Sequence, residues 1–264
     1  KALERDYNSP HNHGALMNFG LLSDQRSNES AVVNYTDGAQ GQWLGQAFTI
    51  DGNRAIATTS GWRSIDGRGR GAGPTRRDQA GFNRFELVNG RWEYVDTPWN
   101  FFSFSSTAQA EANASYIVDT VREVEIVDDS VFFLGTGASP GRSQSLYMLE
   151  DRMITNHEVP PTMMYTFSSV GAVNQPSLRV GGGKAGVPKY IVAAVPGANA
   201  GNGGAYIFDR LGNLAQVLLP ASGSNYGEGL AVLNDLIAVS QSDGSRKQIY
   251  LYRFQGALSN WQLE

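Results

Sequence analysis

One pattern of strand chemistry returns four times along this chain. An apolar strand runs into a tight Asx or Gly turn, and a second, more apolar strand follows it. Two copies are Phe48-Thr49-Ile50-Asp51-Gly52-Asn53-Arg54-Ala55-Ile56-Ala57 and Val124-Glu125-Ile126-Val127-Asp128-Asp129-Ser130-Val131-Phe132-Phe133. The third joins Ser177-Leu178-Arg179-Val180 to Tyr190-Ile191-Val192-Ala193-Ala194. The fourth is Gly229-Leu230-Ala231-Val232-Leu233-Asn234-Asp235-Leu236-Ile237-Ala238. After a gap, each copy continues into a strand bearing an aromatic and then a polar turn. A unit of this kind cannot bury its apolar face alone, so its neighbours must stack against it.

Helical periodicity is nearly absent. Only residues 108–116 suggest a helical turn, and the rest reads as short strands between Gly, Asn, Asp and Pro turns. The 31 glycines suit so many tight turns. The expected fold class is therefore all-β: a β-propeller of about five four-stranded blades, or part of a larger ring. Residues 1–264 read as a single domain, with blades at 43–97, 121–159, 174–220 and 226–264. Residues 1–42 are expected to hold a partial blade, with strands around Ala15 and Val32.

Local signals support this layout. Asn89-Gly90 between two apolar runs is a two-residue hairpin signal. Glu150-Asp151 is the corresponding turn in the second blade, and Leu211-Gly212-Asn213 in the third. Trp261 is expected where Trp92 sits in the first blade. Second strands such as Val131-Phe132-Phe133-Leu134 and Ile191-Val192-Ala193-Ala194 are apolar on both faces, as a doubly buried strand requires. Third strands are expected to alternate more, as Gln248-Ile249-Tyr250-Leu251-Tyr252-Arg253-Phe254 does.

Composition narrows the function classes. Charged residues make up 17%, against about 25% in an average domain. The net charge of −4 predicts no attraction to nucleic acid or anionic membrane. No apolar run is long enough to insert into a bilayer. The absence of cysteine removes disulfides, thiolate metal sites and thiol nucleophiles. His11, His13 and His157 are too few to define a zinc site, so no metal is expected. A polar surface rich in Ser, Asn, Gln and Gly points to a secreted or cell-surface protein.

The blade chemistry resembles the FG-GAP repeats of integrin-α-like β-propellers, in their bacterial form. The resemblance rests on Gly204-Ala205-Tyr206-Ile207-Phe208-Asp209, on residues 227–239 and 45–57, and on Gly90-Arg91-Trp92. It implies adhesion, sugar binding or extracellular scaffolding. Repeats of that family often carry an Asp-x-Asp-x-Asp-Gly calcium loop. Asp51-Gly52-Asn53 and Asn234-Asp235 are too short for one, so no cofactor is expected, with calcium bound outside such a loop as the alternative.

In a propeller the loops leading into each innermost strand converge at one mouth of the axial channel. Here they carry Trp43 and Gln46, Asn174, and Tyr226 with Glu228. Aromatic rings stack on sugar C–H faces, and amides bond vicinal hydroxyls in pairs. Trp43 and Tyr226 have a plainer alternative, packing between blades. Residues 61–80 add Arg63, Arg68, Arg70, Arg76 and Arg77, whose guanidinium forks match carboxylate or sulfate. The leading expectation is a carbohydrate-binding or adhesive module for a glycan, anionic where the arginines take part. The alternatives are a polysaccharide lyase or glycoside hydrolase, and a scaffold that binds protein. No Gly-x-Ser-x-Gly elbow is present, and the loop carboxylates Asp24, Asp66, Asp78, Glu228 and Asp243 cannot be paired from sequence.

Overall fold

The computed structural model describes residues 3–5, 14–17, 32–34, 43–62, 79–94, 118–137, 144–150, 161–167, 176–184, 186–220, 222–244, 246–256 and 259–264. Among these the chain is all-β, with four four-stranded antiparallel sheets and one three-stranded sheet. The chain divides into two compact units, Lys1–Val121 with Asp151–Pro160, and Arg122–Glu150 with Pro161–Glu264. The expected helical turn at 108–116 lies outside the described residues.

In the first unit, β1 (Leu3–Arg5), β2 (Gly14–Met17) and β3 (Val32–Asn34) form the three-stranded sheet. β2 and β3 fall where the partial N-terminal blade is expected. The four-stranded sheet is β4 (Trp43–Asp51), β5 (Arg54–Trp62), β6 (Gln79–Val88) and β7 (Arg91–Tyr94), in sequence order. Asn89 and Gly90 both have positive φ, at 51° and 77°, as a type I′ hairpin requires. Ala55, Ala57 and Phe85 form the buried centre, with Phe48 and Trp92 packed on it. β4 is kinked between Leu44 and Phe48. The buried Thr58 hydroxyl holds the kink, accepting from Ala47 N at 2.9 Å and donating to Ala47 O at 3.1 Å.

The second unit is a stack of three sheets. The first consists of β8 (Val118–Val127), β9 (Ser130–Gly137), β10 (Gln144–Glu150) and β11 (Thr162–Thr166). The second consists of β12 (Ser177–Gly181), β13 (Tyr190–Ala194), β14 (Ala205–Asp209) and β15 (Leu214–Leu218). The third consists of β16 (Leu230–Leu233), β17 (Leu236–Asp243), β18 (Arg246–Gln255) and β19 (Asn260–Leu263). Each is a meander of neighbouring strands. Trp261 and Trp92 are both the second residue of a fourth strand, opposite Phe254 and Leu87 respectively.

Side-chain alternation explains the stack. On the middle sheet Ile191, Ala193, Tyr206 and Phe208 join Phe132, Leu134 and Phe167 of the first sheet's side in one core. Their neighbours Tyr190, Val192, Ala194, Ala205 and Ile207 join Ile237, Val239, Tyr252 and Trp261 of the third sheet in another. Successive strand residues face opposite ways, so a sheet sandwiched between two others is apolar at every position. Hence β13 is buried at all five residues, as its sequence suggests. β14 is buried at four of five, so the alternation expected of third strands appears in β18 and not in the middle sheet.

Ion pairs and amide bonds join the sheets at their margins. Arg179 on β12 reaches Glu123 on β8 at 3.1 Å. Gln216 on β15 donates from Nε2 to Trp261 O at 2.9 Å and accepts from Trp261 N at 2.8 Å. The first sheet of this unit extends past the expected boundary at 159, because its fourth strand is Thr162–Thr166. No Asn-Gly or Asp-Gly pair closes a two-residue hairpin after Glu150, and Ser145 pairs with Thr166 across a longer connection.

Candidate functional site

At one end of the second unit, the loop after β13 (195–204) and the loop before β16 (222–229) are tied into one surface. The first loop turns on itself. The Ala198 carbonyl accepts from Gly201 N at 3.1 Å and from Gly203 N at 2.9 Å. Asn199, Ala200, Gly201 and Gly203 all have positive φ. For Ala200 that conformation is a departure costing on the order of 1 kcal/mol, sustained by surrounding bonds. The Asn199 amide supplies two of them, donating to Gly203 O at 3.0 Å and to the Tyr206 hydroxyl at 3.1 Å.

The second loop is held from both sides. Towards the middle sheet, Tyr226 N donates to Asn202 O at 3.0 Å and Asn225 N to Gly201 O at 3.3 Å, forming a parallel bridge between Gly203 and Tyr226. Towards the third sheet, Gly227 N donates to Ser240 O at 2.8 Å, and Ser240 N to Gly229 O at 2.9 Å. Gln241, only 2% exposed, donates through Nε2 to Ser222 O at 2.8 Å. Its amide oxygen lies 3.0 Å from the Tyr250 hydroxyl. These bonds form across different strands, so the loop is fixed before any ligand arrives.

Tyr226 is fully buried, in the core between the middle and third sheets. Its hydroxyl donates to that of Tyr252 at 2.8 Å, and Tyr250 meets its ring edge-on. It offers no ring face to a ligand; packing between sheets is the role the structure gives it. The neighbouring Gly227-Glu228-Gly229 lifts Glu228 to the surface, where it is exposed. Among the described residues no side chain pairs with its carboxylate. Asn202 and Ser222 stand exposed beside the same bonds, and Asn225 is half-buried. Arg246, exposed, begins the strand paired with β17, to whose Ser242 carbonyl Asn225 donates.

Glu228 and Gln46 hold equivalent places. Each lies in a kink at the start of the first strand of its sheet, pinned by Ser240 in one case and Thr58 in the other. Trp43 lies at the start of β4. The side chains of Trp43 and Gln46, and all of Arg63, Arg68, Arg70, Arg76, Arg77 and Asn174, lie outside the described residues, as do His11, His13 and His157. The residues that build the loop surface, Asn199, Asn225 and Gln241, carry no motif. The only sequence trace of them is the Gly-rich run at 197–204. Among the described residues no group of three His, Asp or Glu side chains gathers to hold a metal. No described helix is long and apolar enough to cross a membrane.

Burial pushes the phenols of Tyr226, Tyr190, Tyr252, Tyr206 and Tyr147 above the usual tyrosine value. The folded chain therefore holds their protons more tightly than the unfolded chain does. Their contribution to stability is complete below about pH 10 and is lost as the pH rises beyond it. Stability should fall with rising pH once the unfolded phenols ionise, by at most about 1.4 kcal/mol per pH unit for each phenol, until the folded phenols ionise in turn. Denaturant titration across that range, followed beside phenolate absorbance, measures it. A stability that is flat above about pH 10 would contradict it.

No family model and no curated protein matches the chain. Among solved structures it is similar to a "putative glycosidase" from Bacteroides thetaiotaomicron at 9% identity, covering 83% of this chain and 71% of that one, with a TM-score of 0.39. A glycosyl hydrolase from Bacteroides ovatus gives 9% identity, 83% and 69% coverage and the same TM-score of 0.39. A "putative glycoside hydrolase" from Parabacteroides distasonis gives 12% identity, 83% and 71% coverage and 0.39 again. Likeness at this level assigns no activity. The class that stands is an all-β chain of four-stranded antiparallel sheets, three of them stacked in the second unit.

Proposed function

We propose that the chain is an exported carbohydrate-binding module, with its stacked sheets forming an arc of a β-propeller of the FG-GAP type. The arc counts about five blades with the partial N-terminal sheet. One observation carries the binding reading: the cross-tied loops at 195–204 and 222–229 hold Glu228, Asn202 and Ser222 on a fixed surface. A carboxylate, an amide and a hydroxyl at fixed spacing are groups that bond vicinal sugar hydroxyls, and rigidity lowers the entropy lost on binding.

Glycan-array screening followed by calorimetry on the best hit tests the reading. Glu228→Gln should weaken binding about tenfold or more, since a charge-assisted hydrogen bond contributes roughly 1.5–3 kcal/mol. Binding indifferent to Glu228→Gln would exclude this surface. Release of reducing ends from a polymer, abolished by the same change, would make the protein a hydrolase instead. Trp43, Gln46 and the five arginines of residues 61–80 are proposed contributors in the first unit. Their substitution is a separate arm, and weaker binding of sulfated or uronate glycans is the expected result there.

A further inference from the structure

The third sheet of the second unit has one face in the core and one face bare. Strand register defines the bare face. Ala231 and Leu233 of β16 lie beside Leu236 and Ala238 of β17, and Ala238 lies beside Leu251 of β18, with Ile249 one step along the same row. Leu233 is 69% exposed, Ile249 71% and Leu251 40%. The opposite face of these strands carries Ile237, Val239, Tyr252 and Trp261, all buried. A solvated outer face of an antiparallel sheet ordinarily carries polar residues. Four strands about 4.8 Å apart and about 20–25 Å long give the whole face a plan area on the order of 400 Å²; its apolar centre on β16–β18 is flanked by Ser240, Ser242 and Gln262.

We propose that this face is a self-association surface, covered by the same face of a second copy of the chain. Its charges indicate which occupant fits. Lys247 lies on this face at one end of the β18 row, opposite Ser242. At the other end Arg253 is paired with both Asp235, at 2.8 Å, and Glu264, so two carboxylates outweigh one guanidinium. The face is thus apolar at its centre, positive at one end and net negative at the other. A two-fold axis through the Ile249–Leu251 region brings Lys247 of each copy over the carboxylate end of the other. Such a surface complements itself, as an isologous dimer requires. Two faces of this size bury roughly 800–1,000 Å² together, at the low end for a specific interface, so the dimer should be weak and concentration-dependent.

Sedimentation velocity over micromolar concentrations tests this proposal, which does not depend on the glycan-binding reading. The wild-type chain should pass from monomer to dimer. Ile249→Glu, at an exposed position, should leave the circular dichroism unchanged and raise the dimer dissociation constant by about tenfold or more. Lys247→Glu and Glu264→Lys should each weaken the dimer, and the double variant should restore it. A chain that stays monomeric throughout overturns the proposal, and so does a dimer indifferent to Ile249→Glu. Failure of the double variant to recover association overturns the two-fold arrangement.

Discussion

Tyr226→Ala will destabilise the second unit by about 3–5 kcal/mol. The side chain is fully buried in the core between two sheets, so truncation leaves a ring-sized void beside Tyr250 and Tyr252. Packed β-strands fixed by ladders on both sides cannot collapse to fill it, which puts the loss near the top of the range for aromatic truncation. The Tyr252 hydroxyl also loses the group that donates to it at 2.8 Å. Tyr226→Phe separates the two effects, because it keeps the ring and removes only the hydrogen bond. That variant should lose about 1–2 kcal/mol. Urea denaturation followed by tryptophan fluorescence measures both, with Trp261 in the same core as a reporter. A loss under about 1 kcal/mol for Tyr226→Ala would mean that the ring is not packed as described.

Gly203→Ala will cost about as much, by a different route. Gly203 has φ of +85°, which an L side chain resists, and it bridges to Tyr226. A Cβ there would overlap the Tyr226 carbonyl oxygen and lie 2.8 Å from the Tyr226 carbonyl carbon and amide nitrogen. The obstructing atoms are backbone held in place by Asn202, so relief means breaking the bridge. We expect a loss of about 3–4 kcal/mol, from conformational strain together with overpacking. Gly201→Ala is the control. It shares a positive φ, +90°, but its Cβ would meet nothing within 4 Å. It should lose only about 1–2 kcal/mol. Equal losses for the two variants would show that the close approach at Gly203 contributes nothing. Gly203→Ala should also abolish glycan binding at temperatures where it remains folded, because the two loops part at this bridge.

The parts of this fold that were legible in the sequence depend on near neighbours. Asn89-Gly90 declares its hairpin because the turn's φ values are a property of those two residues. The apolar runs of β9 and β13 declare double burial because all their positions share one environment. β11 was not legible, since Met163 and Tyr165 pair with β10, past a bulge at Met164, across a connection without tight-turn chemistry. Nor was the burial of Ala205-Tyr206-Ile207-Phe208, which arises only because sheets lie against both faces of β14. Tyr226 was open between ligand contact and packing for the same reason. Next to Gly227 and Glu228 it looks like a loop aromatic, and its core partners Tyr252 and Ile237 lie on later strands. Asn199, Asn225 and Gln241 act through bonds to backbone atoms, which any amide side chain can make, so no spacing announces them.

The pairing of Gln216 with Trp261 has a consequence for how this chain meets other chains. Trp261 lies on β19, the outer strand of its sheet, and its N–H and C=O point away from Phe254. An unpaired couple of this kind is where a foreign strand would begin to add. The Gln216 side chain occupies both groups at once, standing in for one residue of a neighbouring strand. It acts as a strand one residue long. At that position β19 is thereby capped against an added strand.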